Sequence, residues 1–200
     1  MVDITAVVMA GGKSLRMGSD KALLKIGNLT AVEFQLQRLR PLFDEIILST
    51  NAPEEFRHLD IPCLPDIIPD RGPLGGIYTA LLRAKNPYIF AIACDMPFVS
   101  AALIDYLKEK CEGYDVTVPE TDRGLEPLHA IYSRDCIPAI KKHLEADSKG
   151  RVIGFFPDVR VRVITKEEIA QIEGGPQAFL NFNTPKDYQI ALELLRTGKA

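Results

Sequence analysis

Residues 7–21 read VVMAGGKSLRMGSDK, and the rest of the chain is organised around this stretch. An apolar run that begins at Ile4 stops at Ala10, and two glycines and a basic loop follow it. Glycines after a buried strand let backbone N–H groups approach an anion closely, and nearby cations neutralise its charge. The stretch therefore predicts a cradle for a polyphosphate, with Lys21 and Arg16 as its main cations.

The loop departs from the two common phosphate-binding patterns. GxxxxGK[ST] would require a glycine where Val7 stands, and the stretch contains no GxGxxG. A dehydrogenase that binds a dinucleotide through GxGxxG and a ribose-binding acid is therefore disfavoured. Residue chemistry alone also allows a solvated basic turn that tolerates two glycines, so both interpretations stay open at this point.

The composition is typical of a globular protein of one domain. The chain has 200 residues, 46% hydrophobic and 26% charged, and a formal net charge of −3. We therefore expect no affinity for nucleic acid or for an anionic membrane, and the local basic loop indicates a small anionic ligand. Since the chain has no apolar run of roughly 18 residues, no signal-peptide pattern and no CxxC pair, we expect a cytoplasmic protein with reduced thiols.

Strand, turn and helix follow one another regularly in the first half of the chain. Apolar runs predict strands over residues 44–49, 61–65 and 88–94, and apolar spacing predicts helices over residues 28–43, around 77–84 and after a cap at Ser100. This order predicts an α/β fold, a three-layer α/β/α sandwich with a mostly parallel, Rossmann-like sheet.

Polar residues and glycine stand where the predicted strands end. Gly11, Asn51, Asp66 and Asp95 each lie at or just after such an end. Ligands of open α/β sheets bind beyond the carboxyl ends of the strands, so we expect these four residues to line one crevice.

The second half of the chain is less regular. Strands are predicted over residues 115–118 and 127–132 with a loop between them, a helix over 136–144 and a half-exposed strand over 159–163. A last helix is predicted from a cap at Thr184 to about residue 196, burying Ile190, Ala191 and Leu194.

Three of the strand-end residues could carry chemistry. Asp95, in the sequence ACDMP, is the best metal candidate, because Mg²⁺ is held by one or two carboxylates together with substrate phosphates. Its alternative role is to cap the turn before Pro97. Asn51 and Asp66, taken one at a time, are equally well explained as a turn residue and a cap.

Four motifs occur in order between residue 7 and about residue 188: AGGKSLRMGSDK, GPLGG, CDMP and NFNTP. In this combination the chain resembles the molybdenum cofactor guanylyltransferase family of nucleotidyltransferases. The family usually has Leu-Ala-Gly where this chain has Met9-Ala10-Gly11, and GPLAG where Gly75 replaces the alanine. The resemblance implies a nucleoside-diphosphosugar transferase-like fold in a single domain over residues 1–200, with a nucleotide-binding half over about 1–100 and an acceptor-binding half over about 101–200.

The resemblance also implies a role for each motif residue. Asp95 binds Mg²⁺ and the nucleotide, and it acts in catalysis with Lys21 and Arg16. The remaining nucleotide contacts are backbone groups of the first motif and two residues that read guanine: Met9, Ala10, Gly11, Gly12, Asn51 and Asp66, with Lys21 on the phosphates. Asn181 and Asn183 contact the acceptor.

The implied reaction is the transfer of GMP from GTP to the phosphate of Mo-molybdopterin, with release of pyrophosphate. The partners implied are these two small molecules, with transient contact with molybdenum-inserting or molybdoenzyme-chaperone proteins as a further expectation. Two alternatives stay open. One is a cytidylyltransferase or sugar-1-phosphate nucleotidyltransferase that uses the same loop, and the other is a non-catalytic GTP-binding adaptor.

Overall fold

A computed structural model describes residues 2–11, 21–146 and 151–197 of the chain. The strands are β1 (Ile4–Met9), β2 (Lys25–Ile26), β3 (Leu29–Thr30), β4 (Ile46–Ser49), β5 (Cys63–Leu64), β6 (Tyr88–Ala93), β7 (Val116–Thr121), β8 (Gly124–Leu125), β9 (His129–Ser133) and β10 (Val161–Ile164). The α-helices are α1 (Ala31–Leu39), α2 (Gly72–Arg83), α3 (Ala101–Lys110), α4 (Ile137–Ala146), α5 (Lys166–Ala170) and α6 (Pro185–Thr197). Short 3₁₀ helices lie at Lys21–Leu23, Pro53–Leu59, Arg134–Cys136, Val152–Asp158 and Pro176–Phe179.

The main sheet has the strand order β10-β7-β9-β6-β1-β4-β5, with β8 paired to β7 outside this path. β1 lies between β6 and β4 and is parallel to both, and β4 and β10 pair in parallel with β5 and β7. β9 runs antiparallel to its two neighbours, β6 and β7. The sheet is therefore mostly parallel, and the part formed by β6, β1, β4 and β5 is parallel throughout.

Helices cover both faces of the sheet, as the alternation along β1 shows. Ile4, Ala6 and Val8 pack into one hydrophobic cluster with residues of α1 and α3. Val7 and Met9 point the other way and pack into a second cluster with residues of α2 and α4. Because successive side chains of a strand point to opposite faces, these two clusters are the two interior layers of a sandwich. The predicted three-layer α/β fold is confirmed.

The start of the first helix differs from the prediction. The helix expected from residue 28 begins at Ala31, because Thr30 and Glu33 form a capping box in which Thr30 Oγ1 accepts from the Glu33 N–H and the Glu33 carboxylate accepts from the Thr30 N–H. The residues before it form the β2–β3 hairpin, which turns at Gly27 with a φ of 63°. The hairpin forms a two-stranded sheet of its own, between Lys21 and α1.

Two expectations for the second half also need correction. The loop expected between residues 119 and 126 is a hairpin, since β7 extends to Thr121 and pairs with β8. Helix α6 buries Ala191 in a third cluster with Phe98 and Phe182, but Ile190, expected to be buried, is 47% exposed. None of the helices in the described ranges has the length and apolarity needed to cross a bilayer.

Candidate active site

The carboxyl ends of β1, β4, β5 and β6 surround a cavity of about 860 Å³, here called the cleft. The start of α2, the segment before β9 and the segment before α6 complete its walls. Among the lining residues are nine that the sequence analysis singled out: Met9, Ala10, Gly11, Lys21, Asn51, Asp66, Asp95, Asn181 and Asn183. Residues up to 174 positions apart in sequence therefore face one space, because the fold gathers the strand ends at one edge of the sheet.

Lys21 lies at the centre of the polar contacts in the cleft. Its ammonium donates to Asp95 Oδ2 at 2.7 Å and to Asn183 Oδ1 at 2.6 Å. The Lys21 and Asp95 side chains are 18% and 13% exposed, so the ion pair is only partly shielded from solvent. Three chain segments that are distant in sequence thus meet at one cation, and we call Lys21, Asp95 and Asn183 the reaction centre.

Backbone hydrogen bonds fix Asp95 between neighbouring segments. The Cys94 N–H donates to the Met9 carbonyl at 3.2 Å, which continues the β1–β6 pairing past the end of β6. The Asp95 carbonyl accepts from the Phe182 N–H at 3.2 Å, and the Phe182 ring is fully buried. The segment that carries Asn181 and Asn183 is therefore attached directly to the residue whose carboxylate it faces.

Gln35 supports the same turn from beneath, and the sequence analysis missed it. It is fully buried on α1, and its Nε2 donates to the Ala93 carbonyl at 2.9 Å and to the Met96 carbonyl at 3.0 Å. These two carbonyls flank Asp95 on either side. Gln35 shares the apolar face of the helix with Val32, Leu36 and Leu39, and a polar residue inside such a stripe is the signal that could have identified it.

The far end of the cleft contains a second carboxylate with a different partner. Asn51 Nδ2 donates to Asp66 Oδ2 at 3.0 Å, and the Asp66 N–H donates to Asn51 Oδ1 at 2.9 Å. This reciprocal pair joins the ends of β4 and β5. Burial raises the pKa of Asp66, and the hydrogen bond from Asn51 opposes that shift. We call Asn51 and Asp66 the base-side pair, after the contact with the base that the sequence resemblance leads us to expect.

Helix α2 packs very closely against the base-side pair, at the GPLGG motif. A Cβ on Gly76 would lie 2.6 Å from Met9 Cε, closer still to Ser49 Oγ and 3.5 Å from Asp66 Oδ1. Thr79, one turn further along, accepts from the Ile67 N–H at 2.9 Å through its hydroxyl. The glycine thus lets the helix approach the strand ends, and the threonine holds the loop that carries Asp66.

The donor set at the reaction centre fits a magnesium ion, although it is small. Among the described residues no group of three or more His, Cys, Asp or Glu side chains could hold a metal. The cleft does offer the two oxygens of the Asp95 carboxylate and Asn183 Oδ1. All are hard oxygen donors, and Mg²⁺ takes one or two carboxylates and completes its octahedron with waters and substrate phosphates.

The comparisons with known proteins agree with this geometry. The model of the MobA-like NTP transferase domain family matches residues 6–160. The chain belongs to this family. It is 40% identical to the probable molybdenum cofactor guanylyltransferase of Pelotomaculum thermopropionicum, over all of this chain and 98% of that one. It is 34% identical to the molybdenum cofactor guanylyltransferase of Syntrophotalea carbinolica, over 92% of this chain and 89% of that one.

A crystal structure of molybdopterin-guanine dinucleotide biosynthesis protein A from Archaeoglobus fulgidus has the same fold, with a TM-score of 0.84 over 96% of this chain and 99% of that one, at 22% identity. The family match includes Lys21, Asn51, Asp66 and Asp95. Asn183 lies outside the matched residues, and its side chain accepts a hydrogen bond from Lys21, which lies within them.

Two of the predicted phosphate-loop residues, Gly12 and Arg16, lie outside the described residues, and their roles stay predictions. His129, in β9, is fully buried between the rings of Phe90 and Phe179. Burial lowers the pKa of His129 to about 3. It is therefore a neutral core residue and does not line the cleft.

Proposed function

We propose that this MobA-like protein transfers GMP from GTP to the terminal phosphate of molybdopterin cofactor and releases pyrophosphate. The observation that carries the proposal is the division of the cleft into two ends. A cation bridges a carboxylate and an amide at one end, and a carboxylate tied to a neutral amide lies at the other. The first end suits phosphates and a metal, and the second suits a base that brings its own N–H donors.

The base-side pair supports the choice of guanine. Guanine presents two adjacent donors, the N1–H and the exocyclic amino group, and a carboxylate accepts both. The hydrogen bond from Asn51 orients the Asp66 carboxylate before the nucleotide binds. The entropic cost of ordering the Asp66 side chain on binding is therefore small. Cytosine lacks such a pair of adjacent donors, which is why the base-side pair disfavours a cytidylyltransferase.

The chemical step forms one bond and breaks one. An oxygen of the acceptor phosphate attacks the α-phosphorus of GTP, the bond from that phosphorus to the α,β-bridging oxygen breaks, and pyrophosphate leaves with the electron pair. The attacking phosphate is already anionic, so no protein base is required. Lys21 exchanges its contact with Asp95 for the phosphates and stabilises the negative charge that develops there.

Asp95, with Asn183 beside it, is the group that would hold Mg²⁺. When bound, the ion supplies positive charge to the triphosphate and to the leaving pyrophosphate. Gln35 keeps the Asp95 turn in place through the two flanking carbonyls. The cytoplasmic location and the contacts with molybdoenzyme chaperones remain predictions.

The test follows the α-phosphate. The full chain is incubated with Mo-molybdopterin, Mg²⁺ and GTP labelled either at the α- or at the γ-phosphate. We expect the α-label in a pterin dinucleotide and the γ-label in pyrophosphate, and neither product with Asp95→Ala. Release of γ-label as inorganic phosphate, or binding of GTP without either product, would contradict the proposal; the second result would favour the adaptor.

A further inference from the structure

A second cavity, of about 500 Å³, adjoins the cleft at Glu126. It lies between the β7–β8 hairpin on one side and α5 with the segment 176–180 on the other. Glu126 lines both cavities and separates them. The second cavity therefore begins where the cleft ends, and apart from Glu126 its lining residues do not line the cleft.

One wall of the second cavity is apolar and partly open to solvent. Ile169 and Phe179 form its buried part, and Leu180, a large hydrophobic residue that is 38% exposed, forms its rim. Leu180 directly precedes Asn181, which lines the cleft. One short segment thus offers an apolar surface to the second cavity and polar side chains to the reaction centre.

The charges around the second cavity argue against a phosphate there. Its lining has four acidic side chains and two basic ones: Glu120, Asp122, Glu126 and Glu167 against Arg123 and Lys166. Lys166 Nζ is already paired with Asp122 Oδ1 at 3.0 Å. An apolar wall with an excess of carboxylates favours a flat, neutral ring that donates hydrogen bonds.

Glu126 is the carboxylate best placed to receive such donors. Its Oε1 accepts from the Thr121 hydroxyl at 3.1 Å, which fixes the orientation of the carboxylate. Within the described part of the chain, no donor contacts the other carboxylate oxygen. Burial raises the pKa of Glu126, as it does for Asp66 at the opposite end of the cleft.

We propose that the second cavity binds the pterin ring of the acceptor, with the ring against Leu180 and Phe179 and its 2-amino-4-oxo edge on Glu126. A pterin presents the same pair of adjacent donors on this edge as guanine does, N3–H and an amino group. The acceptor then runs from the second cavity past Glu126, and its phosphate enters the cleft at the reaction centre. This inference rests on the proposed function, because that function supplies the acceptor.

The steady-state test uses Leu180→Gln and Glu126→Gln, with Leu82→Gln as the matched control. Leu82 is a 44% exposed leucine on α2 that lines neither cavity. We expect the KM for Mo-molybdopterin to rise about tenfold in both test variants while the KM for GTP changes less than twofold, since only acceptor binding is lost. An unchanged acceptor KM, or a Glu126→Gln effect seen only as a higher Mg²⁺ requirement, would overturn the proposal.

A binding measurement separates this inference from the proposed function, because it needs no turnover. The probe is 6-hydroxymethylpterin, and its fluorescence anisotropy is followed as the full chain is added, with and without saturating GTP. We expect binding that GTP does not displace, that Leu180→Gln and Glu126→Gln weaken at least fivefold, and that Leu82→Gln leaves unchanged. No binding, or displacement of the pterin by GTP, would contradict the inference even in an active enzyme.

Discussion

The two ends of the cleft each present an aspartate after a parallel strand, and they differ in the partner of that aspartate. At the reaction centre, Asp95 is paired with the charged Lys21 and lies next to Asn183. At the base-side pair, Asp66 is held by the neutral amide of Asn51. A carboxylate that is paired with a cation can release that cation. The carboxylate is then able to bind a metal ion, and the cation is able to bind a phosphate. A carboxylate oriented by a neutral group keeps its charge available for the donors of a ligand. The partner of each carboxylate therefore indicates its role.

The largest effect is expected for Asp95→Asn, which keeps the shape of the side chain and removes its charge. Lys21 then loses its ion pair, and the carboxylate that we propose to hold Mg²⁺ is removed. We expect kcat to fall on the order of a thousandfold, as for loss of a charge-stabilising group in an active site. The measurement is acceptor-dependent pyrophosphate release across a Mg²⁺ titration, with thermal unfolding as the check on folding. Full metal-dependent activity in Asp95→Asn would contradict a catalytic role for the reaction centre.

The matching change at the base-side pair is Asp66→Asn, and it should act on specificity. ITP lacks the 2-amino group of GTP, so the wild-type protein should prefer GTP because Asp66 accepts from that group. We expect kcat/KM for GTP to fall about a hundredfold and the GTP-to-ITP ratio to approach one, since a binding site loses discrimination with the hydrogen bond that provides it. The control is Asp60→Asn, at an exposed aspartate that does not line the cleft. A ratio that stays at the wild-type value would show that Asp66 does not read the base.

Gln35 tests whether the reaction centre depends on support from beneath. In Gln35→Leu the two carbonyls that flank Asp95 lose their donors, so the carboxylate is no longer held in position. We expect kcat to fall about tenfold and the half-saturating Mg²⁺ concentration to rise, as for a misplaced catalytic group. The free energy of unfolding should change by only about 1 kcal/mol, because leucine also removes the buried Gln35 Oε1, which has no hydrogen-bond partner within the described ranges.

Gln37→Leu is the matched control, because Gln37 is exposed on the same helix. An equal effect of both substitutions on the Mg²⁺ requirement would contradict a positioning role for Gln35.

The smallest expected effect is a change in stability with pH. It tests the conclusion that His129 belongs to the core and lies at neither end of the cleft. The native protein keeps His129 neutral down to a pKa of about 3, whereas the unfolded chain takes up the proton near pH 6.5. The stability of the folded state should therefore fall as the pH drops below 6.5. The measurement is urea unfolding at pH 7.5 and at pH 5.5. Between these pH values, the free energy of unfolding should fall less in His129→Met than in the wild type, by on the order of 1 kcal/mol. The variant should keep its activity.

The exposed His58 provides the control, and His58→Gln should keep the wild-type difference between the two pH values. An unchanged pH dependence in His129→Met would mean that the histidine is protonated in the folded protein.

Much of the fold and of the cleft could be predicted because both depend on short-range signals. Apolar runs with polar residues at their ends located β1, β4 and β6, and parallel strands necessarily gather those ends at one edge of the sheet. The start of α1 was also encoded locally, since Thr30 and Glu33 have the spacing of a capping box. The predicted start at residue 28 was wrong because apolar spacing does not fix the first residue of a helix, whereas the capping box does.

Other features depend on tertiary contacts that no local pattern specifies. That Gln35 supports the Asp95 turn becomes visible only when α1 packs beneath the end of β6. The second cavity exists because the β7–β8 hairpin and the segment before Asn181 approach each other, and the sequence separates them by about fifty residues. The exposure of Ile190 likewise follows from which side of α6 faces Phe182. Helical spacing alone had predicted that Ile190 lies on the buried side.

The most direct test of guanylyl transfer at this cleft is pyrophosphate release with GTP, CTP, UTP and ATP, each with Mg²⁺, with and without Mo-molybdopterin. We expect release with GTP alone and only when the pterin is present, because the base-side pair selects the nucleotide and the acceptor phosphate is the nucleophile. Release with CTP would keep the fold and the chemistry but contradict the assignment of Asn51 and Asp66. Absence of release with all four nucleotides would contradict the enzymatic role itself.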